Sequence, residues 1–126
     1  MATTLGLRTV IYHVPDLARA REWYSAAFGE APYFDEAFYV GFSIGGFELG
    51  LDPDCSRAAP GSSGAESYWG VANVDDAVRH FVSCGAGVIE AVHEVGGGIR
   101  VALVSDPFGN VIGLIENPHF VLTAAT

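Results

Sequence analysis

The candidates of this chain for moving a proton are His13 and Glu48. An imidazole and a carboxylate at one site are enough for acid–base catalysis without a metal. Each also has a purely structural reading. His13 suits a hydrogen-bonded sheet position, and Glu48 suits a carboxylate satisfied by Arg100, a tyrosine or water. Arg100 in turn either anchors an acidic ligand group or pairs with a surface carboxylate. His80 falls on the polar side of a helical pattern; His93 and His119 fall near strand or loop ends and carry no assigned role. Cys55 and Cys84 lack the spacing of a metal or redox pair, as expected of a reduced, cytoplasmic protein.

A duplication places these residues. Val14-Pro15-Asp16, followed by a helical pattern ending at Gly29, recurs 60 residues later as Val74-Asp75-Asp76 with a helical pattern ending near Gly85. In the first copy, Leu7 to Val14 reads as a strand and Asp16 as a helix cap. Leu17, Ala20, Tyr24 and Ala27 then form the apolar stripe of a helix. A short strand is expected at Pro32 to Phe34. Phe38 to Ile44 and Phe47 to Leu51 form a hairpin about Gly45-Gly46. The aromatic residues Tyr33, Phe34, Phe38, Tyr39 and Phe42 read as core or cavity wall. In the second copy, Ser67 to Val74 is a strand. Asp75 or Asp76 caps a helix with Ala77, Phe81 and Cys84 on one stripe. Strands follow at Val88 to Val92, Ile99 to Val104 and Val111 to Ile115, the last after the turn Asp106-Pro107-Phe108-Gly109-Asn110. The expectation is an α+β fold of one domain, residues 1–126. Module one spans about 6–52, a linker 53–65 and module two about 66–117. Two βαβββ modules form curved, mostly antiparallel sheets around a cavity, with the helices outside.

Fifteen acids against six bases, all arginine, give a formal charge of −9. Nucleic acid is excluded as a partner, because phosphates need a basic surface. A cationic ligand is compatible, as is acidity that only maintains solubility. No apolar run reaches the ~18 residues of a membrane span, and no membrane partner is expected. Met1-Ala2-Thr3-Thr4 lacks the basic start of a signal peptide.

The stretches HVPDLARAREWYSAAFG, FELGL, VANVDDAV and above all SDPFGNVIGLIENP resemble the vicinal oxygen chelate superfamily, which includes glyoxalase I, bleomycin and fosfomycin resistance proteins and extradiol dioxygenases. The likeness covers roughly residues 6–118 and implies paired βαβββ modules, usually in a homodimer. The metal enzymes of that superfamily carry a ligand at four positions. By the resemblance these are Thr9, Glu48, Trp69 and Gly113. Only Glu48 is a ligand type, whereas catalytic metals need several convergent nitrogen or oxygen donors. No metal or other cofactor is therefore expected.

Strand alternation sets Thr9 and His13 on one face, Trp69 and Asn73 on the matching face, and Glu48 with Gly50. Val111, Gly113 and Ile115 share a face of the last strand. Trp69 then offers a stacking surface and Gly113 open volume for a planar group, with Glu48 as hydrogen-bond acceptor or counter-charge. Alternatively, Trp69 plugs the former metal position as core. The expected ligand-binding set is Thr9, His13, Glu48, Trp69, Asn73, Arg100 and Gly113. The function expected from it is binding of a planar aromatic or cationic small molecule, extending to antibiotic sequestration. The alternative is an enzyme of the same fold, of lyase or dioxygenase type or using His13 and Glu48 as acid–base groups.

Overall fold

The computed structural model describes residues 7–56, 60–61 and 66–119. The expectations for Met1 to Thr4, for linker residues 57–59 and 62–65, and for the tail past 119 lie outside them. The chain divides into two compact units, residues 1–61 and 62–126.

Unit one contains β1 (Thr9–His13), α1 (Leu17–Phe28), β2 (Phe34–Glu36), β3 (Tyr39–Ile44) and β4 (Phe47–Asp52). Its sheet runs β1-β4-β3-β2, with β1 parallel to β4 and the other pairs antiparallel. The Asp16 carboxylate accepts from the Arg19 amide at 3.1 Å and so caps α1. Gly29, at φ 70°, closes the helix in the left-handed conformation that glycine adopts without strain. The helix buries Ala20, Tyr24 and Ala27, and the Tyr24 ring stacks on Tyr12 at 5.7 Å. Tyr12, Val14, Val40, Phe42, Leu49 and Leu51 are buried as core. Period-two alternation leaves Thr9, Ile11, His13, Gly41, Glu48 and Gly50 on the opposite face of the sheet.

Unit two repeats the plan with β5 (Tyr68–Gly70), α2 (Val74–Ser83), β6 (Gly87–Gly96), β7 (Ile99–Ser105) and β8 (Val111–Glu116), in sheet order β5-β8-β7-β6. Here β5 pairs parallel with β8, and the remaining neighbours are antiparallel. The core holds Val74, Phe81, Ala102, Val104, Ile112 and Leu114. In the turn after β7, the buried Asp106 accepts the Phe108 and Asn110 amides at 2.8 and 2.7 Å and the Asn110 side chain at 2.9 Å.

The α+β class and the paired βαβββ order agree with the sequence reading. Several boundaries do not. The fifth strand ends at Gly70, well short of Val74, because Val74 is the first residue of α2. The sixth strand runs past Val92, through Val95, to Gly96. Neither Asp75 nor Asp76 caps α2. Asn73 does, accepting from the Asp76 amide at 2.9 Å, while Glu116 accepts from the Val74 amide at 2.9 Å. Asp75 and Asp76 lie instead in the first turn, where negative charge favours the exposed amides. Among the described residues, no helix is long and apolar enough to cross a membrane.

Candidate functional site

Glu48 is the hub of the helix-free face of unit one. In the parallel pair β1–β4, Thr9 is its direct Cα partner. The Thr9 hydroxyl donates to Glu48 Oε1 at 2.9 Å, and the Tyr39 hydroxyl donates to the same oxygen at 3.0 Å. The Tyr33 hydroxyl donates a short hydrogen bond to Oε2. A carboxylate offers about four acceptor positions. Three are filled by hydroxyl protons, so one position on Oε2 remains.

Two glycines make this arrangement fit. Gly41 and Gly50 face each other across β3 and β4. A Cβ at Gly50 would lie 2.0 Å from the Tyr39 hydroxyl and 2.6 Å from its ring carbon Cζ. One at Gly41 would lie 2.9 Å from Glu48 Oε2 and 3.3 Å from the Tyr33 ring. The bare backbone thus forms a floor on which both phenols rest while their hydroxyls reach the carboxylate.

The electrostatics follow from the hydrogen bonds. Donation by Tyr33, supported by Thr9 and Tyr39, stabilises the charged form of Glu48 and holds its carboxyl below the usual range, against partial desolvation. Burial, and then the hydrogen bond to Glu48, push the Tyr39 phenol well above its ordinary value. The Tyr33 phenol rises too, chiefly through its bond to Glu48. At neutral pH the cluster is one carboxylate anion under three neutral hydroxyls. A carboxylate so stabilised is a weak base.

His13 is placed elsewhere. It pairs with Asp52 at the far end of β1, four residues from Thr9, or roughly 13 Å along the strand. Its Nδ1 lies 2.9 Å from the Asp54 carbonyl oxygen, which only accepts, so Nδ1 carries the proton. The face that His13 and Glu48 share does not make them an acid–base pair.

Unit two corrects three further expectations. First, Tyr68, not Trp69, is the Cα partner of Gly113. Tyr68 therefore stands to Gly113 as Thr9 stands to Glu48, and the strand offset (9 to 68) is 59 residues instead of 60. Trp69 pairs with the buried Leu114 and shares its side of the sheet, so it does not face the same way as Gly113. Second, Gly113 leaves no open volume. A Cβ there would meet the Ser67 carbonyl oxygen at 2.3 Å and the Tyr68 ring at 2.6 Å. Third, the Asn73 side chain is engaged in capping α2. Of the two readings of Arg100, the surface pair is the one found: its guanidinium donates to Asp75 at 2.7 Å, both side chains being more than a third exposed.

These donors do not fit a divalent metal. Three of the four acceptor positions of Glu48 already hold hydroxyl protons, and its partners are neutral threonine and tyrosine. Among the described residues, no group of three His, Cys, Asp or Glu side chains converges.

Thr9 and Glu48, both in the expected set, are neighbours in the structure. Sequence reasoning missed Tyr33, Tyr39, Gly41 and Gly50 as parts of one site. The available signal was a glycine inside each of two adjacent strands, at Tyr39-Val40-Gly41-Phe42 and Glu48-Leu49-Gly50-Leu51, close to surplus aromatic residues.

Similarity to known proteins follows the same lines. A glyoxalase-related enzyme from Fulvimarina pelagi superposes with a TM-score of 0.77 at 19% identity, over 96% of this chain and 94% of that one. A superfamily member from Sphaerobacter thermophilus gives 0.76 at 20% identity, over 92% and 100%. A glyoxalase/bleomycin resistance protein/dioxygenase family enzyme from Burkholderia phytofirmans gives 0.73 at 18%, over 86% and 95%. At such identities the likeness is one of fold. No curated protein matches the sequence. The profile of one family matches residues 6–114, most of the chain, and by that match the chain belongs to the Glyoxalase/Bleomycin resistance protein/Dioxygenase superfamily.

Proposed function

We propose that this chain is a small-molecule-binding protein of the glyoxalase/bleomycin resistance fold, taking a planar aromatic or cationic ligand without a metal. One observation carries the reading. Glu48 is held ionised by Thr9, Tyr33 and Tyr39 and keeps one acceptor position, on a sheet face bordered by exposed aromatic rings. Ionised carboxylates form the stronger, charge-assisted hydrogen bonds, and aromatic faces attract planar groups and cations. Acid–base catalysis is less well supported, because Glu48 is a weak base and His13 is remote from it. Sequestration of an antibiotic of this chemistry, by a cytoplasmic homodimer, is the biological form of the proposal.

The test is a thermal-shift and fluorescence titration against planar and cationic antibiotics, with elemental analysis of protein purified without chelator. Binding by metal-free protein supports the reading. No shift and no quenching across the set, or a stoichiometric bound metal, overturns it. Sedimentation of the protein measures the expected dimer.

A further inference from the structure

We infer that the face of unit one around Glu48 selects organic cations that carry an N–H donor, with Tyr33, Phe34 and Phe38 as the aromatic wall and Glu48 Oε2 as the acceptor. This inference rests on the binding function proposed above and narrows it to one charge and one donor type. Three observations carry it. The residues Tyr33, Phe34 and Phe38 are 62%, 38% and 68% exposed, a concentration of large apolar groups that water does not favour. They form a connected set beside the carboxylate. Phe34 lies 6.0 Å from Phe38 and 6.1 Å from Tyr39, whose hydroxyl, like that of Tyr33, holds Glu48. Finally, the stretch from Glu30 to Asp54, which contributes β2, β3 and β4, holds six acids and no base.

The occupant follows from charge and donor count. An anion is repelled by Glu48, whose charge the three hydroxyls stabilise. A neutral planar molecule gains stacking but leaves the Oε2 acceptor without a charged partner. A protonated amine or amidine on a flat ring system satisfies both, because the rings attract the cation and its N–H fills the one acceptor position left on Glu48. A quaternary cation gains the first contribution and lacks the second.

Three tricyclic probes of similar shape separate these contributions: acridine, neutral at pH 7.5; N-methylacridinium, charged without an N–H; and 9-aminoacridine, charged with N–H donors. Binding is read from probe fluorescence. The expected order is 9-aminoacridine tightest, N-methylacridinium intermediate and acridine weakest, with about a tenfold span or more between the extremes. Glu48→Gln should bring 9-aminoacridine down to the affinity of N-methylacridinium on the same variant, since both keep only the attraction of the rings. Phe38→Ala, which leaves the Glu48 hydrogen bonds intact, should weaken all three probes severalfold at unchanged melting temperature. Equal binding of acridine and 9-aminoacridine overturns the inference and leaves the binding function standing. No binding of any probe overturns both. A Phe38→Ala variant that loses only self-association assigns this face to a second copy of the chain and overturns the inference.

Discussion

Thr9 and Glu48 are direct partners on adjacent parallel strands, and the Thr9 hydroxyl donates to the carboxylate across 2.9 Å. The register alone brings this pair together, so no loop has to order to form it. Thr9→Val keeps the shape and removes the donor. The expected loss is about 1 kcal/mol of unfolding free energy, measured by urea denaturation. A carboxyl-carbon NMR titration should show the Glu48 pKa moving up toward its ordinary 4.5. An unchanged titration would show that the hydroxyl does not act on the charge.

Gly50→Ala sets a methyl where the Tyr39 ring lies, with contacts as short as 2.0 Å. The ring must leave, and its hydrogen bond to Glu48 goes with it. Destabilisation of about 1–3 kcal/mol is expected, together with a fall of the Tyr39 phenol pKa toward 10, read by ultraviolet titration. Gly113→Ala should be worse, since its methyl meets the Ser67 backbone carbonyl as well as the Tyr68 ring.

The Glu48 cluster is predicted to give stability limits at both ends of the pH scale. A depressed carboxyl pKa contributes stability that is present above 4.5 and is lost as pH falls through the depressed value. Raised phenol pKa values act in the opposite sense. The contribution of Tyr33 and Tyr39 is present below pH 10 and is lost as pH rises through their raised values. Glu48→Gln should flatten the acid limb of the stability profile specifically. Denaturation midpoints from about pH 2 to 6 test this, and parallel profiles for variant and parent would refute it.

Asn73→Ala should cost about 1 kcal/mol, the ordinary cost of losing a helix cap. Asp76→Ala should cost less, because the backbone amide of Asp76, not its side chain, takes part in the cap. Thermal melts of the two variants rank them, and the reverse order would return the cap to the aspartates.

Much of the fold was legible because periodicity is a local signal. The stripe Leu17, Ala20, Tyr24 and Ala27, closed by Gly29, defines α1, and alternation in β1 correctly separates Tyr12 from Thr9. Strand register is not local, and there the reading slipped. The 60-residue repeat aligned Trp69 with Thr9, whereas pairing with Gly113 selects Tyr68. A one-residue shift in a strand reverses every side chain. It moved the expected stacking surface from the open face to the helix side. The roles of Tyr33 and Tyr39 were hidden for a related reason. Their rings lie over glycines on neighbouring strands, and only the pairing of β3 with β4 reveals that contact.

The phenols resting on Gly41 and Gly50 also tie substitutions at this site to one another. Placing a chelating side chain at position 9 leaves Tyr33 and Tyr39 still donating to Glu48, so the carboxylate stays engaged. Removing the tyrosines first exposes two glycines with nothing packed upon them. Neither change alone frees the carboxylate and keeps the packing, so a chelate could be built here only by altering position 9, both tyrosines and the glycines beneath them together, on three strands and the segment before β2.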